Sequence, residues 1–324
     1  LWGDLDTQPT AGIEFSRRPD PYLGFCGGAF GNYWRTSAPG GTVDTYGADL
    51  YFGPKLYLPL TDSFEFYGSL GPSFVFQDLE ALEDAARALS KGPLPRAVII
   101  TGAGSDAFCA GFDVNPDNPM VAEMARAVDR GEKDPIARSI AALRAAVDRF
   151  VALPVPIIAA LNGKAYGGGA ELAVRCDLRV MDPAAEICFS EVKLGLMPDW
   201  GGGATLSHLI GAASAADLIL TARRIRADEA LALGLVNRVS APGNVLNDAI
   251  MMAEAISRNG PRAVRSALKV IRAGRHLSLR ETLDLEQRTA VDLIASGECL
   301  HGIGAFLAGE TATFPDLLPE DTIE

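Results

Sequence analysis

The chain has 324 residues, 48% hydrophobic and 22% charged, a globular composition with room for one large or two smaller domains. Its 41 acidic against 29 basic residues give a formal charge of −12, which excludes sequence-independent nucleic-acid binding and makes any anionic ligand depend on a locally basic pocket. Five scattered cysteines (Cys26, Cys109, Cys176, Cys188, Cys299) without a CxxC, and three distant histidines, exclude a disulfide framework and a zinc centre, so no metal is expected. Leu1 in place of methionine, with no charged-then-apolar leader, reads as a fragment or a processed chain. Pro154 and Pro156 interrupt the longest apolar run, Val151 to Leu161, so no membrane contact is expected for residues 76–324 and the expected location is cytoplasmic.

Residues 1–75 have a character of their own. Of the 24 Phe, Trp and Tyr residues, 16 fall within residues 1–76, and glycine is dense there. Leu56, Leu58 and Leu60 alternate with Tyr57 and Pro59, and Thr61-Asp62-Ser63 makes a turn. Phe64, Phe66 and Leu70 then resume the alternation, which predicts a β-hairpin. Leu50 to Phe76 weakly resembles strands of an outer-membrane β-barrel, with alternating faces and aromatic girdles. One or two hairpins cannot close a barrel, so a glycine-rich soluble β segment is the simpler reading.

The period changes at Phe76. Leu79, Leu82, Ala86 and Leu89 share one helical face. Arg96 to Thr101 (RAVIIT) is a short apolar run of the kind buried on both faces of a parallel sheet. Ile136, Ile140, Leu143, Val147 and Phe150 step by fours and threes as an amphipathic helix, and Val155 to Leu161 (VPIIAAL) is the next buried strand. This alternation predicts right-handed crossovers and a mostly parallel sheet, hence an α/β fold. From about residue 212 the pattern is nearly all helical: Pro261 starts a helix, and Ser278 with Glu281 makes a capping box. The expected organisation is a β-rich segment over 1–75, an α/β core over 76–255 and a helical region over 256–324.

Two glycine turns concentrate the chemistry. Phe108 to Asp113 follows RAVIIT, and Asn162 to Glu171 follows VPIIAAL and opens a helix. Glycine in such turns lets the backbone approach a ligand and aim N–H groups at it, and a helix N-terminus adds positive potential suited to a developing oxyanion. Neither the dinucleotide fingerprint nor the P-loop spacing is present. Glu171 stands behind the glycine triplet and Glu191 follows Phe189-Ser190. By residue type alone, Glu171 reads as a first-turn acid that favours the helix dipole and Glu191 as a solvated loop acid; as a pair across a small pocket, they can move protons in both directions. Cys109 and Cys188 have no base beside them in sequence, which argues against covalent thiol chemistry.

AFCAGFD (107–113), ALNGKAYGGGAELAVRCD (160–177), FSEVKLGLMPDWGG (189–202) and LTARRIRADEALALGLVNRV (220–239) occur in register, and similar spacing continues to AFLAGETATF (305–314). In these motifs the chain resembles the crotonase, or enoyl-CoA hydratase/isomerase, family over about residues 76–314. The resemblance implies a ββα spiral core with a helical C-terminal region and an acyl-CoA thioester as partner. It implies no cofactor beyond the coenzyme A carried by the substrate, and a homotrimer or hexamer in which helices over Leu279 to Ala308 cover an active site.

By motif position, the resemblance assigns backbone N–H groups of Phe112 and Gly168 to an oxyanion hole and makes Glu171 and Glu191 the catalytic acids of a hydratase. Ala110, Gly111, Asp113, Tyr166, Gly167, Trp200 and Phe306 fall at substrate-binding positions. Asp199 stands where isomerases of the family carry a second acid/base, so an enoyl- or dienoyl-CoA isomerase using Glu191 and Asp199 is the alternative. His208 reads as structural, and loops such as Asn115 to Lys133 are expected to wall the acyl pocket. The chain also departs from the family. Residues 1–75 do not match its N-terminal hairpin, and Asn115 and Gly309-Glu310 replace basic residues. A chimeric or truncated chain with weak coenzyme A binding and little turnover is therefore a further alternative.

Overall fold

The computed structural model describes residues 6–20, 23–38, 41–54, 76–89 and 94–317, in two compact units, Leu1–Tyr57 and Leu58–Glu324. In the first unit β1 (Asp6–Asp20), β2 (Leu23–Ala38) and β3 (Gly41–Pro54) form an antiparallel meander, with register shifts in β1 between Thr10 and Gly12 and between Arg17 and Asp20. These strands agree with the β-rich reading; the hairpin expected over Leu56 to Leu70 lies outside the described residues.

The second unit opens with α1 (Phe76–Leu89), whose Leu82, Ala86 and Leu89 are buried. Three strand pairs follow: β4 (Val98–Thr101) with β5 (Ala107–Cys109), then α2 (Pro119–Asp129) and α3 (Asp134–Val151). Next come β6 (Ile157–Leu161) with β7 (Lys164–Tyr166), then α4 (Gly168–Arg175), then β8 (Leu178–Met181) with β9 (Glu186–Cys188). Beyond lie α5 (Gly202–Ile210), α6 (Ala212–Thr221), β10 (Ile225–Arg226), α7 (Ala227–Ala232) and β11 (Arg238–Val239). The described chain ends in α8 (Val245–Ser257), α9 (Pro261–Ala273), α10 (Leu279–Ala295), α11 (Glu298–Ala308) and an extended tail.

The parallel pairing is as expected, but there are two sheets rather than one. The first strand of each pair enters the sheet β11-β8-β6-β4, all parallel; the second enters β10-β9-β7-β5, parallel except for β10 against β9. Short turns between paired strands cause the split. Asn162 locks two of those turns together: its Oδ1 accepts from the Gly102 N–H at 3.0 Å, and its Nδ2 donates to the Gly102 and Gly104 carbonyls. This ββα spiral is crotonase-like, as is the helical C-terminal region. Within Asn115 to Lys133, expected as loop, the chain forms α2 instead. Asn118 caps it by accepting from the Met120 N–H, Pro119 occupies the first turn, and Met120 and Ala127 bury its inner face.

Buried polar groups tie the core together. The Arg179 guanidinium donates to the carbonyls of Leu235 at 2.7 Å and Cys176 at 2.6 Å, and lies within 3.4 Å of those of Ala173 and Val174. It thereby satisfies the C-terminal carbonyls of α4, which lack partners within the helix. Glu298 does the converse for α9, accepting from the Arg262 and Ala263 N–H groups. Arg96, just before β4, donates to Asp316 at 2.8 Å and to the carbonyls of Asn259, Phe314 and Pro315. The expected Ser278–Glu281 capping box starts α10. Among the described residues no single helix is long and apolar enough to cross a membrane. α10 and α11 reach that length and composition only as a pair, bent by 70°.

Candidate active site

The two glycine turns lie side by side. β5 and β7 are paired in parallel, and each runs directly into its turn. Gly111 has φ of +91°, and a Cβ there would sit 2.7 Å from the Tyr166 carbonyl oxygen and 2.9 Å from the Gly168 nitrogen. A side chain would therefore crowd the Tyr166 carbonyl and the Gly168 nitrogen. Among the described residues, the backbone N–H groups of Phe112 and Gly168 donate to no backbone acceptor outside the regular elements. The Gly167 N–H is pinned to the Cys188 carbonyl at 2.9 Å, which fixes the turn to the end of β9.

Three carboxyls gather here. Glu171, on the first turn of α4, is buried, and its two oxygens accept three backbone N–H bonds from the crossing loop: Asp199 at 3.1 Å, Trp200 at 2.9 Å and Gly202 at 2.8 Å. Glu191 begins a 3-10 turn (Glu191–Leu194), is 9% exposed, and has no hydrogen-bond partner on either oxygen. Its Oε1 lies 3.9 Å from where a Gly167 Cβ would be, so it faces the second glycine turn. The Glu171 carboxyl is near enough to influence how Glu191 titrates, without closing a bond of good geometry. Asp199 is half-buried beside the pair, and its charge acts on both.

Burial raises all three acids. It pushes the Glu171 carboxyl up to about 8; the Glu191 and Asp199 charges add to this, and the N–H bonds from Gly202 and Asp199 oppose it. Glu191 and Asp199 are also raised, in each case mainly by burial. Two buried carboxyls this close favour holding one proton between them, so the pair offers an acid and a base together. The stability consequence has a definite sign. A group raised on folding from 4.5 to about 8 stabilises the folded chain fully below pH 4.5, and that contribution is lost as the pH rises to about 8. Urea titrations at the two ends of this window should give the higher midpoint at the acid end, and Glu171→Gln should flatten the difference.

The other expected site residues divide. Gly111, Gly167 and Trp200 join the cluster. The edge of the Trp200 indole would lie within 2.6–2.8 Å of a Cβ on Gly168, so only glycine fits there. Ala110 is exposed at the turn, and the Asp113 carboxylate accepts from the Asn115 N–H at 2.9 Å, shaping the path into α2. The Tyr166 hydroxyl donates to Glu186 at 2.7 Å, and burial followed by that acid pushes its pKa up to about 12; Arg224 lies over its ring. Phe306 stands on α11, 82% exposed, and α11 packs on α10. The His208 ring meets that of His276 edge-on, and Cys188, its thiol raised mainly by burial, points its Sγ at the Ala222 carbonyl.

One contributor was missed in the sequence. Arg175 donates to the Trp200 carbonyl at 2.7 Å and pairs with Asp148. Its only signal is the four-residue spacing from Glu171 on α4, which puts both residues on the face that the loop crosses.

Known proteins share the fold. Residues 73–316 match the family model for enoyl-CoA hydratase/isomerase. The short-chain-enoyl-CoA hydratase of Clostridium acetobutylicum is 38% identical over 203 residues, covering 63% of this chain and 71% of that protein. The crotonyl-CoA hydratase of Syntrophomonas wolfei is 34% identical over 234 residues, covering 72% and 85%. A crystal structure of enoyl-CoA hydratase from Bacillus anthracis superposes with a TM-score of 0.67 at 34% identity, covering 75% of this chain and 90% of that one. With the spiral core, the paired glycine turns and the family match all falling on the same residues, the chain belongs to the enoyl-CoA hydratase/isomerase family of enzymes.

Proposed function

We propose that this enzyme adds water across the double bond of a 2-enoyl-CoA thioester. The observation that carries this is the buried pair Glu171 and Glu191, one gripped by three N–H donors and the other with both oxygens unpartnered. The thioester oxygen accepts from the Phe112 and Gly168 N–H groups, which stabilise the enolate as it forms; one such donor is worth about 2.7–4 kcal/mol of barrier. One carboxyl of the pair takes a proton from water while the other returns one to the α-carbon, so the pair finishes the cycle with the proton it began with. The hydratase names of the relatives support the same direction.

Asp199 favours a second reading, because its half-buried acid stands beside Glu191 and is itself raised by burial. In that reading Glu191 and Asp199 move a proton between carbons and water takes no part. Asp199→Asn separates the two. Hydration of a short 2-enoyl-CoA should survive within about tenfold, since the substitution leaves both glutamates in place. A parent that isomerises a 3-enoyl-CoA without hydrating a 2-enoyl-CoA, and loses that isomerisation in Asp199→Asn, would transfer the function to the second reading.

The same proposal includes assembly as a homotrimer or hexamer. Leu279, Val291, Ile294, Leu300, Phe306 and Leu307 are all more than half exposed on α10 and α11, an apolar area that a partner copy would cover. Light scattering on the purified chain should therefore give a mass at a multiple of three chains; an active monomer would remove this part.

A further inference from the structure

Trp200 is held from both sides by one helix. Its N–H donates to Glu171 and its carbonyl accepts from Arg175, four residues along α4. Asp148 on α3 pairs with the same Arg175 guanidinium and directs it. The next residue, Gly201, has φ of +89°, and a Cβ there would come within 3.3 Å of Arg175 Nη1, so the guanidinium and loop are in close contact. The peptide of residue 200 is thus clamped, and the indole it carries is 2% exposed, with its six-membered ring laid against Gly168.

We propose that the Trp200 indole limits the acyl group accepted beside Gly168 to a short chain, and that Arg175, steered by Asp148, is the positioning residue that keeps the indole there. This rests on the reading of Gly168 as the thioester's hydrogen-bond donor. An acyl group held at that N–H meets the aromatic edge within the width of one residue. Space for a longer chain on that side is already filled by a rigid side chain whose backbone has no freedom to withdraw. Arg175 does this work better than lysine, because its fork reaches the Trp200 carbonyl and Asp148 at once in one plane.

The test uses the full chain with Trp2 and Trp34 replaced by phenylalanine, so that emission reports Trp200 alone. In this background Arg175→Met should shift the emission to the red as the indole loosens, and Arg175→Lys should restore part of the shift. Activity is then read on short, medium and long 2-enoyl-CoA thioesters. Trp200→Ala and the milder Trp200→Phe should raise the ratio of long-chain to short-chain kcat/KM by about tenfold or more, the discrimination that a few methylenes carry in an apolar pocket. Arg175→Met should move that ratio in the same direction, mainly through KM. Unchanged ratios in both Trp200 variants, with hydration intact, would overturn the size limit. Unchanged emission and ratios in Arg175→Met would overturn the clamp. If the parent hydrates no enoyl-CoA, the hydratase reading fails, while the emission comparison still decides the clamp.

Discussion

Glu191→Gln should yield a chain that folds at least as well as the parent and turns over a 2-enoyl-CoA roughly 10²–10⁴ times more slowly. Both effects come from one fact: the Glu191 oxygens are buried and have no partner. Burying a charge without a partner is costly, and an amide of the same shape lowers that cost while removing the exchangeable proton. The expected signature is a large fall in kcat, little change in acyl-CoA affinity by calorimetry, and a Tm equal to or above that of the parent. A parent-like rate would end the role of Glu191. The contrast with Glu171 is instructive. There the three N–H donors need two acceptor oxygens, and a glutamine amide would turn its own N–H groups toward them. Glu171→Gln should therefore lose rate and also stability, by about 1–3 kcal/mol for each donor left unsatisfied.

The second large effect belongs to a residue with no functional group. Gly111→Ala puts a methyl 2.9 Å from the Gly168 nitrogen and forces alanine to φ of +91°. It should cut kcat/KM by about 10²–10³, the loss expected when one oxyanion donor is blocked. Backbone strain of about 1–2 kcal/mol accompanies it. Gly104→Ala is the matching control, because Gly104 has φ of +70° but nothing within 4 Å of its would-be Cβ. The control should lower the urea midpoint and leave the rate alone. Equal losses of rate in the two variants would show that strain, and not obstruction of the N–H, governs the site.

After Phe76, the helices that periodicity and end signals mark are present in the structure. Leu143, Val147 and Phe150 place α3, Pro261 opens α9, and Ser278 with Glu281 opens α10, because each signal acts within a turn or two of helix. The division into two sheets is not legible in this way: β5, β7 and β9 have three residues each, too few to show a period of two. α2 carried its signals, Asn118 and Pro119, in a stretch whose expected role as a pocket wall favoured a loop. At the site, Glu171, Glu191 and Asp199 were legible through the motifs that carry them. The indole on Gly168 and the Arg175 clamp were not. Both depend on where the loop over 198–202 crosses α4, a relation between segments about 30 residues apart that no local pattern encodes.

The bonds of Arg96 have a consequence for synthesis. Its guanidinium stands at the entrance of β4, yet its partners are Asn259 and the carbonyls and carboxylate of Phe314, Pro315 and Asp316. On a ribosome the strand emerges first and waits for more than two hundred residues before the groups that satisfy this arginine exist. Closing so long a loop is slow relative to helix formation, so residues 314–316 lock onto the head of β4 late in folding. A chain cut just before Phe314 would keep every strand and helix named above and still leave a cation at the head of the sheet without its closing partners.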